Sequence, residues 1–217
     1  FESLEEADRL GVDVCVLDHH QMGTEQPKCV ALVNPNRQDD LSGLGYLCAA
    51  GVVFMTLVAV QRALRQRGQE VGANLLDMLD IVALATVCDV VPLRGLNRAF
   101  VVKGMQVLRA QKNIGLTALA KVARLDGPIT PYHLGFMLGP RINAGGRIGK
   151  ADLGARLLSS SDPHEAQSMA ERLDELNSER RAIEEEVRAA ALAQAEERGF
   201  DAPLVWAAGE GWHAGVV

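Results

Sequence analysis

Three consecutive residues, Asp18-His19-His20, close a short apolar run from Val12 to Leu17. Vicinal histidines after an aspartate suit a divalent transition ion such as Mn²⁺, because imidazole nitrogen and carboxylate oxygen bind it together and a carboxylate can bridge two ions. Two ions about 3.5–4 Å apart activate a water and stabilise both oxygens of an in-line phosphoryl displacement. The plain alternative is a polar cluster satisfied at a strand end. A further carboxylate, Asp89, follows the apolar segment Leu75–Val87 and precedes Val90-Val91-Pro92. Taken alone it reads as the C-terminal turn of a helix. The stretch Gly139-Pro140-Arg141-Ile142-Asn143-Ala144-Gly145-Gly146-Arg147 reads as a loop by composition. Its glycines would let backbone approach a ligand, and the Arg141 guanidinium fork suits a phosphate, with Asn143 and Arg147 as neighbours in the same role. A solvated connector is the bland reading.

The elements that must position these residues follow the rhythm of a parallel α/β sheet. Ser3-Leu4-Glu5-Glu6 is a capping-box pattern, Gly11 suits the end of that helix, and Val12–Leu17 reads as a buried strand. Ligands of such sheets bind at the carboxyl ends of strands, which is where Asp18-His19-His20 stands. Cys29–Val33 reads as a second strand closed by the turn Asn34-Pro35-Asn36. Helices are expected over residues 47–67, with the apolar Ala49–Val60 buried, over 75–87, from an Asn97 cap to about 111, and over 117–124. Thr130-Pro131 reads as a cap with proline at the first helical position, and Asp162-Pro163-His164-Glu165 as another. The helix beginning there could run to Arg198, a length of about 54 Å, more than one core needs. It is therefore expected to bridge two domains. Pro203–Ala208 would be the first strand of the second. The expected organisation is a parallel-sheet α/β domain over 1–160 with a helical region, a linking helix over 161–200, and the start of another domain over 201–217.

Composition bounds the class. The 217 residues are 48% hydrophobic and 23% charged, as in an ordinary globular protein, and no apolar run is long enough to span a membrane. Four cysteines, Cys15, Cys29, Cys48 and Cys88, lack paired spacing, which argues against a zinc site or disulfide framework and for buried reduced thiols in a cytoplasmic protein. The net charge of −6 is unevenly spread. Between Arg94 and Arg156 eleven Lys and Arg stand against two acids, Asp126 and Asp152, a net of +9, while the remainder holds eleven bases and twenty-six acids, a net of −15. Such asymmetry points to one anion-facing surface on an acidic body, the alternative being a few solvated helix faces. The chain opens on Phe1 without a signal-peptide pattern and stops as an apolar run begins at Trp212, so an internal piece of a longer chain is expected.

The ordered set Val16-Leu17-Asp18-His19-His20, Asn34-Pro35-Asn36, Ala83–Leu93 with Asp89 inside it, Asn97-Arg98, Leu138–Arg147 and Trp212-His213-Ala214-Gly215-Val216-Val217 resembles the DHH phosphoesterase superfamily. Within it, the Gly-Pro-Arg-Ile-Asn stretch and the Trp-His-Ala-Gly-Val run narrow the likeness to RecJ-type 5′-to-3′ single-stranded DNA exonucleases. The resemblance implies metal binding by His19 and Asp89, an orienting role for Asp18, and a place for His20 beside the scissile phosphate or the metal shell. It implies phosphate contact by Arg141, a two-metal site for Mn²⁺ or Mg²⁺, and a monomer acting in DNA repair and recombination, with single-strand-binding protein as partner. The same likeness calls for an Asp-x-Asp motif and a further aspartate upstream of Asp18, which this sequence lacks, so the 217 residues alone are expected to be inactive. Two other readings stand beside it: a DHH hydrolase of short oligonucleotides or cyclic dinucleotides, and an inactive nucleic-acid-binding scaffold.

Overall fold

Two short strands, β1 (Cys15–Leu17) and β2 (Ala31–Val33), pair in parallel with Cys15 opposite Ala31, Val16 opposite Leu32 and Leu17 opposite Val33. They belong to the α/β arrangement that the sequence predicts. The computed structural model describes residues 1–200 and 203–212. These form two compact units, Phe1–Lys112 with Ile129–Gly135, and Asn113–Pro128 with the chain from Phe136 onward.

In the first unit, α1 (Glu2–Arg9) begins one residue before the expected cap, so Ser3 lies inside the first turn and makes no capping bond. The chain leaves this helix through Gly11 at φ +69°, a backbone conformation that favours glycine. β1 is not the buried strand that its apolar run suggests: Cys15 is exposed, and Val16 and Leu17 are half-buried. A strand is buried on both faces only when layers cover both. The helix α2 (Ala49–Gln66) likewise buries only its start, Gly51, Val52 and Phe54, whereas Leu57, Val58 and Val60 are exposed. The expectation of a buried helix over 49–60 holds for its first turns alone.

The core of this unit gathers Leu47, Val52, Phe54, Leu79, Val82 and Phe100, with Phe54 and Phe100 meeting edge to face at 5.3 Å. A 3₁₀ turn, Leu75–Met78, capped by Asn74, leads into α3 (Leu79–Cys88), so the predicted helix over 75–87 is present with a tighter first turn. The helix α4 (Gly95–Leu108) crosses α3 at Gly104, where a Cβ would lie 2.1 Å from the Leu79 carbonyl oxygen and 2.4 Å from the Ala83 Cβ. Only a glycine permits that approach. Asn97, expected as the cap of α4, instead sits inside its first turn and is fully buried.

The second unit is helical. The helix α5 (Ile114–Val122) starts three residues earlier than expected because Asn113, not Thr117, supplies the cap, its side chain accepting from the Leu116 N–H. At the close of the first unit Thr130 precedes a helical turn as predicted, but His133 Nδ1 accepts the Thr130 N–H and so supplies the side-chain acceptor. The stretch Gly139–Arg147, expected as a loop, is helix α6 (Gly139–Ile148), preceded by a π-helical turn over His133–Leu138. Pro140 has no N–H to donate and its ring would collide with the carbonyl four residues earlier, and the wider π turn relieves that clash. Gly145, and Gly149 just past the helix, serve packing, whereas a Cβ on Gly146 would meet nothing within 4 Å. A Cβ on Gly145 would lie 3.1 Å from Leu173, and one on Gly149 2.6 Å from Leu176. Composition overstated the loop because it ignores such helix contacts.

The helices α7 (Leu153–Ser159) and α8 (Pro163–Arg198) complete the unit. The long helix has the predicted 36 residues and the predicted cap, Asp162, whose carboxylate accepts the N–H groups of His164 and Glu165. Ala166, Met169, Ala170, Leu173, Leu176 and Asn177 bury one stripe of its first half at helical spacing. The segment 203–208 is irregular, not the expected strand. The Gln194 carboxamide bonds both the N–H and the carbonyl of Ala208, the two contacts a neighbouring strand would otherwise make. Trp212 is described, but the expectations for His213–Val217 lie outside the described residues. Of the cysteines, all free, only Cys48 is buried; Cys29 and Cys88 are half-buried and Cys15 is exposed, so the reading of four buried thiols is corrected. Their apolar neighbours in sequence do not form a cover on both faces of the small sheet.

Candidate metal centre

The ladder between the strands continues one step past β1, the Asp18 N–H donating to the Val33 carbonyl at 3.0 Å. Asp18 therefore leaves the carboxyl end of a strand with its backbone fixed. Its Oδ1 accepts from His20 Nδ1 at 2.7 Å and from the His20 N–H at 3.3 Å, and its Oδ2 from Asn34 Nδ2 at 3.4 Å. Partial burial pushes the Asp18 carboxyl upward, but the hydrogen bonds from the His20 ring and from the His19 and His20 backbone outweigh it and hold it below the usual carboxylate range. An ionised carboxylate only accepts, so His20 Nδ1 carries the proton and Nε2 is left as the basic atom of an exposed ring.

His19 takes another partner. Its Nδ1 stands 3.5 Å from Asp89 Oδ2, and its side chain is 17% exposed. The separation is long for a hydrogen bond. Two donors adjacent on one ion at about 2.1 Å are about 3 Å apart, so an imidazole nitrogen and a carboxylate oxygen in this relation fit a shared divalent ion. Asp89 follows the last residue of α3, its N–H closing that helix on the Ala85 carbonyl, and Val90 then turns the chain at φ +57°. The negative end of the α3 dipole adds to the attraction for a cation there. Among the described residues no group of three or more His, Cys, Asp or Glu converges as an ion site; His19 and Asp89 approach each other as a pair.

A second layer of side chains holds these residues, and sequence reading took it for a mere turn. Asn34, 2% exposed, donates to Asp18 Oδ2 and to the His20 carbonyl at 2.9 Å. Asn36 donates to the His19 carbonyl at 2.6 Å and to the Gly45 carbonyl at 3.0 Å. A Cβ on Gly45 would lie 2.4 Å from Asn36 Oδ1, so the side chain of Asn36 seats there only against a glycine. The available signal was two asparagines flanking a proline one strand after the histidines. Their backbone targets are invisible in sequence.

Asp18, His19, His20 and Asp89 thus come together in the first unit. Arg141, Asn143 and Arg147 lie on α6 of the second. Asn143 and Arg147 are exposed one turn apart. Arg141 is 9% exposed, its Nε donating to Asp174 of α8 at 2.8 Å and its Nη1 to the Met137 carbonyl at 2.6 Å.

Residues 1–86 match the DHH family, N-terminal domain. Over 99% of its length the chain is 40% identical to the single-stranded-DNA-specific exonuclease RecJ of Dickeya dadantii, and it spans 39% of that protein. Its fold matches a crystal structure of exonuclease RecJ bound to manganese with a TM-score of 0.76 at 34% identity, covering 90% of this chain and 48% of that one. A RecJ of Thermus thermophilus in complex with Mg²⁺ matches with a TM-score of 0.70 at 34% identity, over 85% of this chain and 27% of that one. The chain thus spans less than half the length of the RecJ proteins it matches.

Proposed function

We propose that the protein containing this chain is a metal-dependent exonuclease that hydrolyses single-stranded DNA from its 5′ end, acting in repair and recombination. The approach of His19 and Asp89 to 3.5 Å, at a strand end and a helix end, carries the reading. Likeness to RecJ proteins described as specific for single-stranded DNA and bound to Mn²⁺ or Mg²⁺ supports the substrate and the ion. A divalent ion held there would supply an activated water and neutralise charge on the phosphate. His19 and Asp89 hold one ion, with carboxylates from outside these residues completing the set. Asp18 fixes the ring of His20, whose Nε2 faces the scissile phosphate or supports the metal shell. On α6, Asn143 and Arg147 are open to solvent and contact strand phosphates. Arg141 joins them when its guanidinium is drawn from Asp174. In this organisation the first 160 residues form the DHH domain, and α8 leads to an associated domain.

The protein works as a monomer in the cytoplasm, in contact with single-strand-binding protein; no helix among the described residues is long and apolar enough to cross a membrane. The test is nucleotide release by the full-length protein from 5′- and 3′-labelled single strands, duplex DNA and cyclic dinucleotides with Mn²⁺. Release from the 5′ end of single strands, lost with EDTA and in His19→Ala and Asp89→Ala, is the expected result. Preference for cyclic dinucleotides would refute it, and binding of DNA without any hydrolysis would make the protein a scaffold.

A further inference from the structure

Two asparagine carboxamides link the turn that carries His19 to the turn that carries Asp89. Asn97 is 0% exposed, and its Nδ2 donates to the Tyr46 carbonyl at 2.7 Å and the Pro92 carbonyl at 3.0 Å. Asn36 Nδ2 donates to the His19 carbonyl at 2.6 Å and the Gly45 carbonyl at 3.0 Å. Gly45 and Tyr46 are consecutive. The path therefore runs from His19 through Asn36 to the Gly45-Tyr46 dipeptide, through Asn97 to Pro92, and three residues back to Asp89. Each carboxamide spends both of its hydrogens on backbone carbonyls of different segments.

The dipeptide itself is clamped. The Leu96 N–H donates to Tyr46 Oη at 3.3 Å, and the Arg94 guanidinium lies over the Tyr46 ring at 5.3 Å. The close approaches at either end need glycine, since a Cβ on Gly45 would meet Asn36 Oδ1 and a Cβ on Gly95 would lie 2.4 Å from Tyr46 Oη. The brace also has a cost. Asn97 Oδ1 is buried without a hydrogen-bond donor among the described residues, and such an atom forfeits its hydration. Reversing the amide would face oxygen toward two carbonyl oxygens, so the orientation is settled by its partners.

We infer that Asn36 and Asn97 are positioning residues that set the separation of His19 and Asp89 and so tune the affinity of the ion they share. The inference rests on the reading of that pair as metal ligands. Outer partners that orient ligands typically change metal affinity or activity by about 10–100-fold when removed. Here the orientation acts through the backbone rather than through the ligand side chains.

The experiment uses the full-length protein with Asn36→Ala, Asn97→Asp and Asn97→Ser, the last keeping one donor. Mn²⁺ binding is measured by calorimetric titration without DNA, beside thermal melting and the separate values of kcat and KM on a single strand. Asn113→Ala is the control, removing the α5 cap, which accepts from Leu116 N–H and donates to the Leu158 carbonyl, far in sequence from the ligands. The expected result is Mn²⁺ binding weakened by about 10-fold or more in Asn36→Ala and Asn97→Asp, a smaller loss in Asn97→Ser, kcat falling in step and KM unchanged. The control should melt earlier with unchanged Mn²⁺ affinity. If the variants melt earlier yet bind Mn²⁺ as the wild type does, the positioning role is overturned. If Asn97→Asp does not fold, Asn97→Ser and Asn36→Ala decide by the same criterion. Wild-type protein that binds Mn²⁺ but cuts no DNA refutes the functional reading and leaves the titrations to judge this one; wild-type protein that binds no Mn²⁺ overturns both.

Discussion

Arg141→Ala should destabilise the second unit rather than merely weaken a surface contact. The guanidinium is nearly buried and bonded to Asp174 and the Met137 carbonyl. Removing one partner of a fully buried ion pair costs about 3–5 kcal/mol. The Asp174 side chain is 37% exposed, so water recovers part of that cost once the arginine is gone. The net loss should be about 2–3 kcal/mol, including the carbonyl left without its donor. For a protein of this size each kcal/mol lowers Tm by about 2–4 °C, so a fall of about 4–12 °C is expected. Asp174→Ala should cost a comparable amount, about 2–3 kcal/mol, because Arg141 keeps the Met137 carbonyl but its nearly buried guanidinium loses its counter-charge. The double variant should fall short of the sum of the singles, which marks the pair as coupled. Thermal and urea denaturation followed by circular dichroism provides the measurement. An Arg141→Ala protein that melts with the wild type, while its KM for single-stranded DNA rises several-fold, would refute the buried-brace account and leave Arg141 as a phosphate ligand.

Other perturbations follow from the same contacts. Gly104→Ala forces a Cβ into the Leu79 carbonyl, so it should cost about 3 kcal/mol or more in urea melts and, by displacing α3 and Asp89, weaken Mn²⁺ binding. Burial, aided by the neighbouring Asp89 charge, pushes the Cys88 thiol up to about 11. A folded pKa above the unfolded one gives stability that is whole below pH 9 and lost as pH rises through 11. Cys88→Ala should flatten that decline in melts between about pH 8 and 11. With a disulfide-exchange reagent, Cys15 should react first and Cys48 last, as exposure dictates; fast labelling of Cys48 would show that the core of the first unit opens readily. Cap removal by Asp162→Ala should lower the urea midpoint, since two N–H groups at the start of α8 lose their acceptor.

The candidate donors were legible in sequence because their chemistry is local. Asp18-His19-His20 at the end of an apolar run, and Asp89 after an apolar helical segment, needed no partner to be noticed. The start and 36-residue length of α8 were equally legible, since the Asp162-Pro163 cap and the periodicity of its apolar stripe are properties of adjacent residues. The failures share one cause. Gly139–Arg147 looked like a loop because composition does not reveal Leu173, against which Gly145 packs. Val12–Leu17 looked buried because an apolar run does not say whether two layers cover it. Asn97 looked like a cap because its real partners, the Tyr46 and Pro92 carbonyls, are 51 and 5 residues away.

The sequence by itself determined which atoms could bind a cation and at which ends of which elements they stand. Tertiary structure decided that His19 and Asp89 meet, seventy residues apart in the chain, and that Asn36 and Asn97 bridge the turns that carry them. It also drew Arg141 into a buried pair while leaving Asn143 and Arg147 in solvent. The physical reason is that side-chain identity fixes the chemistry of a donor, whereas its distance to another donor depends on how helices and turns pack. Such packing hangs on single close approaches, Gly45 against Asn36 and Gly104 against Leu79, that no local pattern encodes.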